Sequence, residues 1–332
     1  MARRSHPRSY LPLAILAAVG VAIGALWAFM VPPSGRHGGE DVARELADLR
    51  EAEAKRRPAT ADASVPPLCR KLTVSPLGKV RDAGLDELSG LVASRRTPGL
   101  LWAIEDSGAE PRLSAVRENG TVAGHWSVSG AENVDWEDIA AGPGPDGPVL
   151  YAADTGDNNE RRDDVVLYRV PEPVTATGGG TTGPAQRLTL TYPDGAHDAE
   201  AVVVDPRRGT LLIFTKSLLG ASVYALSDPP FGRATSAKLR RVGNGPLAMA
   251  TAADVSADGT TVAVRGYFSF VVWQRRGNEP LTQTVRRQPC TSPTGLDDGQ
   301  GEALALSKGG GTAWTVAEGT NPPLLRLRPA GR

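Results

Sequence analysis

The chain has 332 residues, and its 37 Lys plus Arg balance 37 Asp plus Glu, so no net field draws it to nucleic acid. Its 38 Gly and 27 Pro follow no collagen period and imply many turns, while 5% aromatics is too few for a sugar-binding surface of stacked rings. Two cysteines, Cys69 and Cys290, stand far apart and match neither a C-x-x-C nor a metal-site spacing.

Residues 1–10 carry Arg3, Arg4 and Arg8 and read as a basic cytoplasmic N-terminus. Residues 11–31 are uncharged and long enough to match the hydrocarbon core of a bilayer, so a transmembrane helix is expected there. Basic residues before it and Glu40-Asp41 after it orient the remainder outside the cytoplasm. A cleaved signal peptide is the competing reading, but no clear small-x-small site follows Phe29-Met-Val-Pro-Pro33. The expectation is an uncleaved signal anchor: a single-pass protein of the cell membrane with an extracytoplasmic C-terminal domain. Residues 32–67 combine a charged helical stalk, with Val42, Leu46 and Leu49 on one stripe, and a Pro/Ala linker.

From residue 68 to 332 the chain reads as short β runs separated by turn residues, such as Glu118-Asn-Gly-Thr121 and Ala257-Asp-Gly-Thr260. No amphipathic helix of ordinary length follows Arg57, which argues against α/β folds. A short unit recurs, in which an acidic residue opens an apolar run and a second apolar run follows. It is seen at Trp136-Glu-Asp-Ile-Ala140, Asp198-Ala-Glu-Ala-Val202, Ala253-Asp-Val-Ser256 and Gly301-Glu-Ala-Leu304. Aligned on the start of the first run, the repeat places Gly90, Asp138, Glu200, Asp254 and Glu302 in register. The spacing suits propeller blades of four strands, with residues 237–242 and 281–286 expected as the fourth strands of their blades and the Gly-rich stretch 175–184 expected as a loop.

The expected fold is therefore an all-β, five-bladed β-propeller, with six blades as the alternative and a pair of β-sandwiches as the runner-up. Arg70-Lys-Leu-Thr-Val74 is spare and would complete the last blade, closing the ring and removing an open sheet edge. In an oxidising compartment Cys69 and Cys290 are expected to pair as a disulfide.

The first strand of each blade lines the central channel, so Asp138, Glu200, Asp254 and Glu302 would converge there. Like charges in a narrow channel repel and require cations. One reading supplies Ca²⁺, whose hard oxygen ligands these acids resemble. The other supplies Lys216 and Arg265, at the ends of second strands, as internal ion-pair partners, with no metal needed. Serine hydrolysis is disfavoured, because the G-x-S-x-G signature is absent from the sequence.

With these residues laid out, the domain resembles bacterial extracytoplasmic propellers of the phytase-like or NHL-like type. The likeness rests on Glu87-Leu-Ser-Gly-Leu91, Leu101-Trp-Ala-Ile-Glu-Asp-Ser107, Trp136-Glu-Asp-Ile139, Asp198-Ala-Glu-Ala201 and Gln300-Gly-Glu-Ala303, over roughly residues 72–328. The resemblance implies Ca²⁺ ligands at Asp138, Glu200, Asp254 and Glu302 and anion contacts at Lys216 and Arg265. Gly90 departs from the pattern, standing where an acid is expected. Two functions follow as expectations. The first is a membrane-anchored module binding an extracytoplasmic ligand or protein, with Ca²⁺ in the channel and no nucleic-acid partner. The alternative is a Ca²⁺-dependent phosphoester hydrolase at the channel mouth.

Overall fold

The computed structural model describes residues 65–331, apart from 83, 84, 86, 246, 268 and 297–299. The expected cytoplasmic segment, membrane helix and helical stalk lie outside the described residues. Among the described residues no helix is long and apolar enough to cross a membrane.

Five sheets, antiparallel through their four principal strands, form a five-bladed propeller. Blade one contains β2 (Leu88–Ala93), β3 (Leu100–Glu105), β4 (Arg112–Arg117) and β5 (Val122–Ser127). Blade two contains β6 (Trp136–Gly144), β7 (Gly147–Asp154), β8 (Val165–Pro171) and β10 (Gln186–Thr191). Blade three contains β11 (Ala199–Val204), β12 (Leu211–Thr215), β13 (Ser222–Leu226) and β15 (Arg240–Asn244). Blade four contains β16 (Ala250–Val255), β17 (Thr261–Gly266), β18 (Phe270–Gln274) and the two-residue β19 (Cys290–Thr291). Blade five contains β20 (Gly301–Leu306), β21 (Ala313–Ala317) and β22 (Pro323–Pro329), and β1 (Leu72–Lys79) pairs with β22 to complete it. The expected ring closure is thus the arrangement found.

The inner strands are apolar on both faces because each lies between two neighbours. Val202 and Val204 pack toward blade two, whereas Ala201 and Val203 pack toward blade four. This is the period-2 alternation of a strand read by two interfaces instead of by core and solvent. Five apolar clusters result, one at each blade–blade junction. The disulfide Cys69–Cys290 joins the segment before β1 to blade four.

Three local expectations change. Residues 281–286, expected as a fourth strand, begin instead with one helical turn, Leu281–Thr284, after Pro280. Leu281 and Val285 bury their side chains there, and β19 takes the strand position. The Gly-rich stretch expected as a loop contains β9 (Gly178–Thr181), which adds to blade one in parallel with β5. Gly179 approaches so closely that a Cβ would meet the His125 carbonyl oxygen at 2.5 Å. The segment expected as one strand at 237–242 splits, with β14 (Ser236–Lys238) pairing with β10 and β15 with β13.

Candidate functional site

Each inner strand opens with the same irregularity. The pairing register shifts at Leu88/Gly90, Trp136/Asp138, Ala199/Ala201, Ala250/Ala252 and Gly301/Ala303. One residue per blade is therefore the extra residue of a β-bulge: Ser89, Glu137, Glu200, Thr251 and Glu302. A bulge breaks the alternation that would send a side chain into a blade interface and re-aims it. Here it turns five equivalent side chains toward one mouth of the channel. Two of the five are hydroxyls spent on architecture: Ser89 donates to the Trp136 carbonyl at 2.9 Å and Thr251 to the Gly301 carbonyl at 2.6 Å. The other three are acids.

Two further tiers surround them. Asp135 and Asp198 lie two residues before Glu137 and Glu200, and Asp106, Lys216, Tyr267 and Glu318 follow the second strands. The carboxylates of Asp106, Asp135 and Glu137 come within 4.8 Å of one another, as do those of Glu137, Asp198 and Glu200. Glu137 belongs to both groups, so five acids form one chain of contacts. Gly156 closes over it: a Cβ there would lie 2.5 Å from Asp135 Oδ2 and would also strike Glu137 Oε1.

Positive charge is scarce in this mouth. Lys216 Nζ pairs with Glu200 Oε1 and lies 5.6 Å from the centre of the Tyr267 ring. Burial opposes its charge, but Glu200, Tyr267 and Glu302 hold its proton more firmly than usual. Arg162 is committed to Asp154 at 2.8 Å and to the Gly156 carbonyl at 2.8 Å. The acids are correspondingly strained electrostatically. Burial, then Glu200 and Asp106, push Glu137 well above the ordinary carboxylate range. Burial, then Asp106 and Asp198, push Asp135 up to about 7. Burial also raises Glu302 to about 7, against the pull of Lys216. Asp106, Asp198 and Glu318 are raised as well, with burial the leading cause. Glu200 is 3% exposed, and its Oε2 has no hydrogen-bond partner among the described residues.

The residues singled out in the sequence divide into two sets. Glu200, Glu302 and Lys216 meet at this mouth. Asp138 and Asp254 do not join the acid cluster. Asp138 follows the bulge of blade two and sits deeper, accepting hydrogen bonds from Ile139 N and Val202 N at 2.8 Å and Ala253 N at 3.2 Å. It thereby stitches three blades together by satisfying amides that inner strands turn toward the channel. Asp254 does the same for Val255 N and Leu306 N, both at 2.7 Å, with Arg95 3.9 Å away. Arg265 is fully buried in the wall, donating to Thr315 Oγ1 and to the Gly266 carbonyl. Gly90 carries no acid because a Cβ there would lie 2.9 Å from Asp138 Cα.

Glu137 is the residue that the aligned repeat overlooks. Its signal is the doublet Asp135-Trp-Glu137 and Asp198-Ala-Glu200, two copies of Asp-x-Glu. Alignment on that doublet, instead of on the apolar run, places Glu137 opposite Glu200. His197 lies outside the site, bonded to Asp194 at 3.2 Å and to the Tyr224 hydroxyl at 2.8 Å. The 154–160 loop is an architectural turn, in which Asp154 and Asp157 accept hydrogen bonds from the amides of Val134, Asp135 and Arg162.

No protein-family model matches the sequence, and no curated protein matches it. Among solved structures, a gluconolactonase from Xanthomonas campestris is similar at 12% identity and a TM-score of 0.45, covering 82% of this chain and 98% of that one. A chain of a nidogen/laminin complex is similar at 12% identity and a TM-score of 0.43, covering 69% and 72%.

Proposed function

We propose that the domain is a cation-dependent ligand-binding propeller whose channel mouth holds one Ca²⁺ between Glu137, Asp198 and Glu200, with Asp106 and Asp135 beside them. The observation that carries this reading is Glu200 Oε2, a buried carboxylate oxygen without a hydrogen-bond partner among the described residues, in a cluster with one ammonium group. A buried charged group left unmet is costly, and a hard divalent ion would satisfy several such oxygens at once. Leu218 and Leu219, directly after Lys216 and Ser217, are 75% and 100% exposed. They offer a ligand an apolar contact beside the charged centre. Calorimetric titration of the full chain with CaCl₂ tests the reading. One site per chain is expected, and it should vanish in Glu200→Gln; no heat in wild type, or equal binding in the variant, would refute it.

A second reading is supported by Asp135. Its carboxyl is half-buried, reaches the mouth and is raised to about 7, so it can exchange a proton near neutral pH. With Lys216 as a fixed positive charge, the mouth would then suit phosphoester hydrolysis. Turnover of p-nitrophenyl phosphate that is abolished by EGTA and by Asp135→Asn would select this reading over binding alone. The anchor at residues 11–31 and the extracytoplasmic placement belong to the same proposal. Retention of the chain in membranes after alkaline carbonate extraction supports it, and release into the supernatant counts against it.

A further inference from the structure

The far end of the channel holds a cavity of about 590 Å³, within the ordinary size of small-ligand pockets. The acids stand where the inner strands begin. The cavity is lined by Ala93, Gly142, Pro206, Ala257 and Ser307, which stand where those strands finish or just beyond. All five blades contribute to it. The amide-bound carboxylates of Asp138 and Asp254 occupy the channel between the two mouths.

The chemistry of this mouth is the reverse of the first. Lys308 lines it from the exposed turn between β20 and β21 and has no ion-pair partner among the described residues. Arg95 also lines it. One of its N–H groups donates to the Val255 carbonyl at 3.0 Å, and Asp254 stands 3.9 Å away, so its charge is only partly met. Glu118 is the one acid among the lining residues. Trp314 forms part of the wall; it is 7% exposed, and its Nε1 donor has no partner among the described residues. Prolines complete rigid, apolar walls.

We propose that this far mouth binds a small, flat organic anion, a carboxylate or sulfonate carried on an aromatic body. Lys308 and Arg95 meet the charge, and the Trp314 ring and the proline-lined walls hold the aromatic body. The two mouths then bind ligands of opposite charge, and this proposal does not depend on a cation in the first.

The probe is 8-anilinonaphthalene-1-sulfonate, titrated into the full chain and read by its fluorescence. One saturable site per chain is expected. Lys308→Glu should weaken it about tenfold, the effect of losing one charge-assisted contact. Arg233→Glu, the same charge change at an exposed site on blade three, should leave the affinity unchanged. Lys308 is exposed, so its replacement leaves the core intact, and near-ultraviolet circular dichroism verifies that. The proposal is overturned by non-saturable binding, by equal affinity in Lys308→Glu, or by equally tight binding of neutral N-phenyl-1-naphthylamine.

Discussion

Arg275 grips Asp205 with both ends of its guanidinium: Nη1 reaches Oδ1 and Nη2 reaches Oδ2, each at 2.8 Å, with both side chains fully buried. Asp205 belongs to the turn after β11 and Arg275 to the turn after β18, so the pair bolts blade three to blade four. A buried pair of this kind is damaging to break because the surviving charge is stranded. Arg275→Met is expected to lower unfolding free energy by about 3–5 kcal/mol. Arg275→Met/Asp205→Leu should recover much of the loss. Urea denaturation of the three proteins measures both effects; equal stability of single and double variants would contradict the account.

Asp138 makes a second prediction. Its two oxygens serve amides from blades two, three and four. Asp138→Ala orphans all three donors and is expected to destabilise by more than 3 kcal/mol, at about 1–3 kcal/mol for each unmet group. Asp138→Asn keeps one acceptor oxygen and should fall between wild type and alanine. If its role were to hold the cation, Asn would abolish binding at unchanged stability, and a thermal melt beside a calcium titration separates the two.

The acid mouth imposes a pH dependence. Asp135 and Glu302 are raised to about 7, so between about pH 4 and pH 7 the folded chain keeps protons that the unfolded chain has released. Stability of the cation-free protein must therefore fall as pH rises through that window. A cation replaces those protons, so its stabilising effect should grow in the same direction. Melting curves with EGTA and with CaCl₂ at pH 5.5 and pH 8 are expected to show a larger calcium shift at pH 8. An equal shift at both values would mean that Asp135 does not serve the ion.

Gly156 offers a local test of the same site. Its missing Cβ leaves room for the Asp135 and Glu137 carboxylates. Gly156→Ala forces both to move and should weaken calcium binding at least tenfold while shifting the melting midpoint little. Unchanged affinity would show that the cluster adjusts freely.

The Cys69–Cys290 bridge closes a loop of sequence separation 221. Chain entropy alone assigns such a crosslink about 5 kcal/mol of stabilisation. Cys69→Ser/Cys290→Ser is expected to lower the denaturation midpoint strongly under oxidising conditions, and wild type in dithiothreitol should match it.

The ring of blades was legible because a repeated unit with turn residues between apolar runs has few other outcomes, and the spare segment at Arg70–Val74 announced its own closure. The acids were harder. In a strand a slip of one residue changes which face a side chain takes, and a bulge adds that slip without any sequence mark of its own. Asp138 and Glu137 are neighbours, yet one stitches amides and the other faces the mouth. Asp254 stands three residues beyond its blade's bulge, at Thr251. The positively charged far mouth was invisible for a different reason: Arg95 and Lys308 occupy equivalent turns past the bulges at Ser89 and Glu302, but the other blades place Pro143, Pro206 and Ala257 there, so no shared residue type marks the position.

Ring closure and the disulfide together decide how the domain carries load. Strand β1 holds the ring shut through its ladder with β22, and the chain enters the domain just ahead of it. Cys69 lies between that entry and β1, and it is tied to β19. A pull on the chain ahead of Pro66 therefore passes through the covalent bridge into blade four before it reaches the ladder. The bridge acts as a strain relief, like the clamp on a cable. Once it is reduced, the same pull would fall on β1 and unzip the propeller from its seam.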